Sequence, residues 1–254
     1  MDTAQPIDVH QHLVPPALED ALRRRGQPPL LDGDTLHRDG CAPAAFGPGH
    51  FDVEARVAQL EEDGCAKALI SLSSPLGLEY LPPEEAWPLL DHHDKPLLIH
   101  PGPVSLPAGQ LPAWWTAVVP FVAQQHAAWH AWHAWQVAGP QAHPDLRACF
   151  VALAGLAPLH GDRVRARGGS GFALTGNVYY ETPSYRERTV ALLQDNVAAG
   201  AIVYGSDRPY AQPSLTGLPA STSDAIRVAN PGRLLTGPSR KPTHQEAWCQ
   251  TRSG

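Results

Sequence analysis

The alternation of short apolar segments with helical segments limits the folds open to this chain of 254 residues. Apolar runs bounded by Gly, Pro and Asp are typical of buried strands, and a repeated strand–helix order predicts a parallel sheet. Six strands are recognisable, near residues 7, 69, 98, 149, 178 and 202. We therefore predict an α/β fold, and one βα barrel commonly occupies a chain of this length.

The first of these strands carries two histidines on one face. Residues two apart on a strand point to the same side, so His10 and His12 project together. Two neighbouring imidazoles can bind one metal ion. A His-x-His pair alone is a weak signal, because two surface or core histidines produce the same pattern.

Metal-ligand residue types also stand at the ends of two later strands. His100 follows an apolar strand in the middle of the chain, and Asp207 follows the last one. In βα barrels the functional site lies at the C-terminal ends of the strands. Taken singly, His100 could be a packing histidine and Asp207 a turn cap. With His10 and His12 they suit one divalent cation: Zn²⁺, Mn²⁺ or Fe²⁺.

These strand ends resemble the amidohydrolase superfamily, in the amidohydrolase-related branch that includes the aminocarboxymuconate-semialdehyde decarboxylase-like enzymes. The matching segments are residues 7–12, 98–102, 177–182 and 204–209. The resemblance spans roughly residues 6–235. It implies a TIM-type (β/α) metal-dependent hydrolase barrel over residues 1–236, followed by a polar tail over 237–254.

The resemblance also implies a site and a cofactor. Its metal ligands would be His10, His12, His100 and Asp207, the metal would most often be Zn, and Asp207 would also act on the catalytic water. Family members hydrolyse C–N and related bonds or decarboxylate carboxylated rings. We expect a metal-dependent hydrolase acting on a small organic substrate, with a nonoxidative decarboxylase of an aromatic or muconate-type acid as the alternative.

Two departures from the family pattern leave a third interpretation open. Ala152 stands where the family usually has a histidine, and His160 follows eight residues later. The chain also has about 25 residues between Ser73 and His100, where the family fits two further βα units. A barrel shortened in this way would expose strand edges, which a homo-oligomer could cover. The chain could therefore be a degenerate barrel that binds or assembles without catalysis.

Three further side chains are candidates for binding substrate. Arg208 and Tyr210 follow Asp207, and a guanidinium can hold a carboxylate through two hydrogen bonds. A surface ion pair is the alternative use of Arg208. Trp114 begins a Trp-rich helix predicted over 113–138 and could cover a cyclic substrate, although packing in the core or an interface accounts for it equally well.

The same helix carries histidines at the spacing of a zinc helix. His126 and His130 are four residues apart, but no glutamate lies between them to serve as a general base. We therefore expect this helix face to pack, rather than to line the mouth of the active site.

Composition excludes several classes of partner. The net charge is −6, so no basic surface indicates nucleic acid binding, and no run of 18 apolar residues predicts a membrane span. The four cysteines are scattered without a C-x-x-C pair, as in reduced, cytoplasmic proteins. They are Cys41, Cys65, Cys149 and Cys249.

Overall fold

A computed structural model gives the fold. It describes residues 5–14, 16–37, 43–47, 50–71, 96–102, 112–169, 177–212, 215 and 217–237. The short helix expected near residues 84–90 and the tail from residue 238 lie outside these ranges, so the division at residue 236 stays a prediction.

The strands number nine along the described residues. They are β1 (Ile7–His12), β2 (Leu30–Asp32), β3 (Thr35–His37), β4 (Ala44–Ala45), β5 (Lys67–Ser71), β6 (Leu97–Ile99), β7 (Ala148–Phe150), β8 (Val178–Glu181) and β9 (Ile202–Val203). Six of them are the strands predicted from the sequence. The three short strands β2 to β4 were not predicted.

The six predicted strands form one parallel series. β1 pairs with β5, and β6, β7, β8 and β9 pair in that order. Backbone hydrogen bonds join β1 to the chain after β9, from Val9 N to Tyr204 O at 3.0 Å and from His12 N to Arg208 O at 2.7 Å. The order is therefore β5-β1-β9-β8-β7-β6, and no closing pair joins β5 to β6 among the described residues.

An apolar cluster shows that this series is curled. Every parallel strand contributes at least one residue to it, β1 also contributes Ile7, and Leu234 completes it. The other strand residues are Val9, Leu69, Leu98, Cys149, Tyr179 and Val203. Because the two end strands β5 and β6 both reach this cluster, the sheet bends into the interior of a barrel.

Two of the helices pack on the outer face of this sheet, where Trp132 and Leu193 belong to its apolar cluster. The described helices are α1 (Pro16–Arg24), α2 (Val53–Glu62), α3 (Ala113–Ala142), α4 (Gly161–Ala166), α5 (Glu187–Gln194), α6 (Ala220–Asp224) and α7 (Asn230–Thr236), with a π turn (Ala225–Ala229) between the last two. α3 is the Trp-rich helix, four residues longer than predicted. Trp132 and Trp135 are only 1% and 4% exposed, which confirms that this helix packs on the core. No described helix is both long and apolar enough to cross a membrane.

The excursion after α1 is more ordered than the expected loop. β2, β3 and β4 form a small antiparallel sheet, in which Asp32 pairs with Thr35 around Gly33 (φ 54°). An Asp-Gly dipeptide is a hairpin signal, because glycine adopts positive φ without a steric penalty. Leu31 and Leu36 are buried, in a separate apolar cluster.

The sequence predicts a helix after Asp52 with Val53, Val57 and Leu60 at helical spacing, and the cap forms, since Asp52 accepts a hydrogen bond from Ala55 N at 2.9 Å. The polarity of α2 is nevertheless the reverse of the expected one, because Val53 and Val57 are each 50% exposed, whereas Arg56 is 4% exposed. Burial and the neighbouring Arg208 guanidinium lower the pKa of Arg56, and the carboxylates of Asp8 and Asp63 offset part of this effect. β5, expected to be buried, is also partly exposed, with Ile70 at 44%.

The sequence predicts a strand over residues 146–153, but β7 ends at Phe150 and the chain after it forms a left-handed turn. Residues 152–156 have φ between 50° and 63°, and four of the five are not glycine. Gly155 passes so close to α3 that a Cβ there would lie 2.6 Å from the Gln125 carbonyl oxygen. Left-handed backbone costs an L-residue roughly 1–2 kcal/mol, so packing holds this turn against its preference.

Candidate metal centre

The four predicted metal ligands converge at one point. We call His10, His12, His100 and Asp207 the His–Asp cluster, and one ligand atom of each lies within 4.8 Å of all the others. The Nε2 atoms of His10 and His12 are 3.0 Å apart. Asp207 Oδ1 lies 3.6, 3.3 and 4.0 Å from the Nε2 atoms of His10, His12 and His100.

The other ring nitrogen of each histidine faces an oxygen acceptor. The acceptors are Glu181 Oε2 for His10 at 3.2 Å, the Ser71 carbonyl for His12 at 3.0 Å and the Pro101 carbonyl for His100 at 2.7 Å. A carbonyl oxygen only accepts, so the rings of His12 and His100 donate from Nδ1. In the neutral ring the lone pair is then on Nε2, directed into the cluster.

The cluster has the donor set of a cation site. If His10 donates from Nδ1 to Glu181, its Nε2 lone pair lies 3.0 Å from that of His12, and a cation between them would relieve the repulsion. Asp207 Oδ1 is buried and has no hydrogen-bond partner among the described residues. Three imidazole nitrogens and one carboxylate oxygen suit Zn²⁺ or Mn²⁺. The residues present therefore fit one divalent cation.

The electrostatics keep the cluster ready to bind a metal. Burial lowers the pKa of His10, and burial together with His10 lowers the pKa of His100 to about 4. Burial alone would raise the pKa of the Asp207 carboxyl, but the neighbouring His12 and the other two imidazoles outweigh it and lower that pKa. Neutral His10 and His100 and an ionised Asp207 are the forms that bind a metal.

Hydrogen bonds fasten β1 to the loop after β9 beneath the cluster. Asp8 is fully buried, and its Oδ1 accepts from the backbone N–H groups of His10 and Ser206, each at 3.0 Å. Asp207 N donates to His10 O at 2.9 Å. These bonds hold Asp207 at φ 57°, in the left-handed region that few non-glycine residues adopt and that Asp adopts more readily than most.

Glu181 is a functional residue that the sequence analysis missed. It ends β8, is fully buried and faces His10 Nδ1 through Oε2. A Cβ at Gly205 would collide with its carboxylate, so glycine is required there. Burial, and the charges of Asp207 and Asp8, raise the pKa of Glu181 well above its usual value. An acidic residue closing an apolar strand was the available signal.

His50 is a second residue that the sequence did not single out. Its ring centroid lies 5.2 Å from that of Tyr210, whose own ring lies 5.3 Å from His12. His50 Nδ1 is 3.1 Å from the Gly47 carbonyl, while its Nε2 is buried without a partner among the described residues. Burial lowers the pKa of His50. It follows a Pro- and Gly-rich stretch in which no local pattern marks it.

The three predicted substrate-binding residues lie in different surroundings. Tyr210 lies beside His12 and is 52% exposed. Arg208 makes a two-pronged salt bridge with Asp63, at 2.7 and 2.9 Å, and its remaining nitrogen donates to Gln212. Trp114 is 64% exposed at the start of α3, where its ring meets Trp115.

The position aligned with the family histidine carries no imidazole. Ala152 begins the left-handed turn, and its backbone forms a hydrogen bond with Glu181. His160 lies against Trp129 of α3, with ring centroids 6.2 Å apart, and lines a separate cavity.

Comparison with known proteins identifies the fold. The sequence matches no protein-family model and no curated protein. Among solved structures, IDCase from Metarhizium anisopliae is 15% identical with a TM-score of 0.68, over 92% of this chain and 97% of that one. The 5-carboxyvanillate decarboxylase from Sphingomonas paucimobilis is 12% identical with a TM-score of 0.64, over 92% and 99%.

A third similar structure was solved with a metal. It is the 5-carboxyvanillate decarboxylase from Novosphingobium aromaticivorans, complexed with manganese and 4-hydroxy-3-methoxy-5-nitrobenzoic acid. It is 13% identical, with a TM-score of 0.60, over 92% of this chain and 96% of that one. This chain therefore has the TIM-type fold of the amidohydrolase-like proteins.

Proposed function

We propose that this chain, built on the amidohydrolase-like barrel fold, is a metal-dependent enzyme that removes carbon dioxide from an aromatic or muconate-type carboxylic acid without oxidation. The observation that carries the proposal is the convergence of three Nε2 atoms and Asp207 Oδ1 at the C-terminal ends of parallel strands. Support for decarboxylation over hydrolysis comes from the names of the similar structures, two of which are decarboxylases of a carboxylated ring.

The His–Asp cluster would hold the metal, with Zn or Mn favoured by its donor set. When bound, a divalent cation would supply Lewis acidity toward substrate oxygens. Asp207, ionised at neutral pH, would take a proton from water and pass it to the ring carbon. The bond from that carbon to the carboxylate breaks, and CO₂ leaves as the proton takes its place.

Residues around the cluster would position the substrate ring. Tyr210 is the best placed, because its ring is partly exposed beside His12. Arg208 could hold a substrate carboxylate only in competition with Asp63 and Gln212. Trp114 would serve as a cover only for a substrate that extends to the first turn of α3.

Hydrolysis is the second candidate function, and Ala152 favours it. Decarboxylation in the family that the chain resembles relies on a histidine at this position, whereas activation of water needs only the metal and Asp207. A chain that bound metal but converted neither class of substrate would be a binding or assembly subunit, our third interpretation.

One assay separates these functions. Purified protein would be loaded with Mn²⁺ or Zn²⁺ and incubated with hydroxylated benzoates and 5-carboxyvanillate, and in parallel with lactones, esters and amides. CO₂ release from a ring acid supports the decarboxylase, and water-dependent cleavage without CO₂ release supports the hydrolase. If protein that carries one metal per chain converted no substrate of either panel, the catalytic proposal would be wrong.

Two variants test the site itself. Asp207→Asn should abolish turnover, and unchanged activity would remove Asp207 from the mechanism. The double variant His10→Ala/His12→Ala should lose the metal, measured by plasma emission spectrometry. If it kept a full equivalent of metal, the His–Asp cluster would not be the metal centre.

A further inference from the structure

A second cavity lies away from the metal ligands. It has a volume of about 620 Å³ and lies between α3, the left-handed turn after β7 and α4, and none of its described lining residues belongs to the His–Asp cluster. Small organic molecules bind in cavities of roughly 300–1,000 Å³. Gly155 forms part of its wall.

Among the described residues that line this cavity, every charged side chain is basic. Arg163 and Arg167 line it together with His126 and His160. Neither guanidinium forms an ion pair or hydrogen bond with another described residue. The two arginines are four residues apart at the end of α4, so they lie on the same side of the chain. Two unpaired guanidinium groups on one side make an anion site.

The same helix provides an internal contrast. Arg165 lies between these two arginines, pairs with Asp162 and does not line the cavity. The helix therefore has one arginine neutralised by a carboxylate and two directed to the cavity. This difference supplies a matched control for charge.

Trp129 supplies an aromatic wall. Its ring lines the cavity together with Gly155. An indole ring offers a flat apolar surface on which an aromatic ligand can pack.

We propose that this cavity binds a flat aromatic carboxylate at a site distinct from the metal centre. The carboxylate would be held by Arg163 and Arg167, and the ring would pack on Trp129. A small inorganic anion would leave the indole wall uncovered, and a neutral ring would leave both guanidinium groups unpaired. The site goes beyond the proposed function, because binding there needs neither metal nor turnover.

Calorimetric titration of the full chain with 2-naphthoate, after removal of metal with EDTA, tests this site. We expect one equivalent to bind. Arg163→Gln/Arg167→Gln should weaken binding by about tenfold or more, because both ion-paired donors are lost. Arg165→Gln should leave affinity within about twofold, since its charge is already paired. Trp129→Ala removes the aromatic wall and should weaken binding severalfold.

Two control ligands define what would overturn the proposal. 2-Naphthalenemethanol, the neutral analogue, and inorganic phosphate should each bind much more weakly than 2-naphthoate. Equal affinity for the neutral analogue, equal losses in Arg165→Gln and the double variant, or no binding to the wild type would each overturn it. Both arginines are exposed, so unchanged melting curves should confirm that the variants fold. Because no turnover is measured, failure of the decarboxylase proposal would leave this test unaffected.

Discussion

The imidazoles of the His–Asp cluster are placed by the acceptors behind them. Two of those acceptors are backbone carbonyls at strand ends, and the third is the side chain of Glu181. A backbone acceptor cannot be removed by substitution, but a side-chain acceptor can. A substitution at Glu181 therefore tests how the orientation of His10 affects metal binding without changing any of the ligands.

Glu181→Gln should weaken metal binding while leaving the three histidines and Asp207 in place. A cation in the cluster would favour the ionised form of Glu181, and the amide keeps the shape of that carboxylate but cannot carry its charge. The His10 ring would then be held less firmly and be less basic in the metal complex. We expect metal affinity to fall by about 10- to 100-fold. Competition with a chromogenic chelator measures it.

The control is Glu61→Gln on the exposed side of α2, which removes the same charge far from any ligand contact. Equal metal affinity in Glu181→Gln and Glu61→Gln would show that Glu181 only fills space.

Two described cysteines should resist alkylation in the folded protein. Burial raises the pKa of the Cys65 thiol to about 11, and burial raises that of Cys149 well above its usual value. A rise of two units lowers the thiolate fraction at pH 8 by about 100-fold, and only the thiolate reacts. Mass spectrometry after iodoacetamide treatment should find both peptides unlabelled in native protein and labelled in urea. Rapid native labelling of either would contradict this burial.

At the scale of secondary structure elements, the left-handed turn can be tested for strain. Ala152 has φ 51° and is only partly buried. Ala152→Gly removes the Cβ that opposes this conformation, so we expect the free energy of unfolding to rise by about 1 kcal/mol. Urea denaturation measures the change.

Ala58 in the exposed part of α2 is the matched control, because its backbone is right-handed. Ala58→Gly should lower stability by about 1 kcal/mol. Losses of the same sign at both positions would show that the turn carries no conformational strain.

The elements that the sequence predicted well are those defined by local pattern. All six parallel strands, the Asp52 cap and the long Trp-rich helix follow from apolar runs and capping residues read over a few positions. The direction in which α2 faces could not be predicted, because Asp8 and Arg208, two of the charged groups that act on buried Arg56, come from other parts of the chain. The left-handed turn is imposed by packing against α3, where Gly155 approaches Gln125.

The sequence likewise predicted some residues of the site and not others. The His–Asp cluster could be predicted because its members stand at strand ends and parallel strands end on one side of the sheet. Glu181 at the end of β8 and Asp8 within β1 are buried by contacts from distant parts of the chain, which the local pattern does not show. Arg208 was expected to bind substrate. Its partner Asp63 lies 145 residues away in sequence, so the salt bridge left no local signal.

At the scale of the whole molecule, the His–Asp cluster joins strands that are not neighbours. β1 carries two ligands, the chain after β9 carries one, and His100 follows β6 at the far end of the strand order. A bound metal would therefore bridge the curled sheet between β1 and β6, which no described backbone pairing connects. Metal should stabilise the fold as a whole.

Saturation with Mn²⁺ or Zn²⁺ should raise the melting temperature. At a free metal concentration of 100 times Kd, binding adds about 2.7 kcal/mol, or roughly 5–10 °C for a chain of this size. Differential scanning calorimetry with and without EDTA measures this shift. His100→Ala should lose most of the gain, because the bridge to β6 is then absent. A full shift in that variant would show that metal binds without joining the strands.

A homo-oligomer remains our prediction at this scale. Part of the first half of α3 is apolar and exposed, including Trp114 and Phe121 at 64% and 57%. Exposed apolar surface of this kind is typical of contacts between chains. Light scattering coupled to size exclusion would give the mass in solution.

The left-handed turn also allows the effect of residue chirality on a backbone conformation to be tested. At Ala152 and Ala154 the backbone takes the twist that a mirror-image amino acid prefers. Chemical ligation of a segment carrying D-alanine at these two positions would retain both methyl groups and all their contacts. Only the chirality of these two residues would change, and D-alanine favours the left-handed backbone conformation that the chain has there.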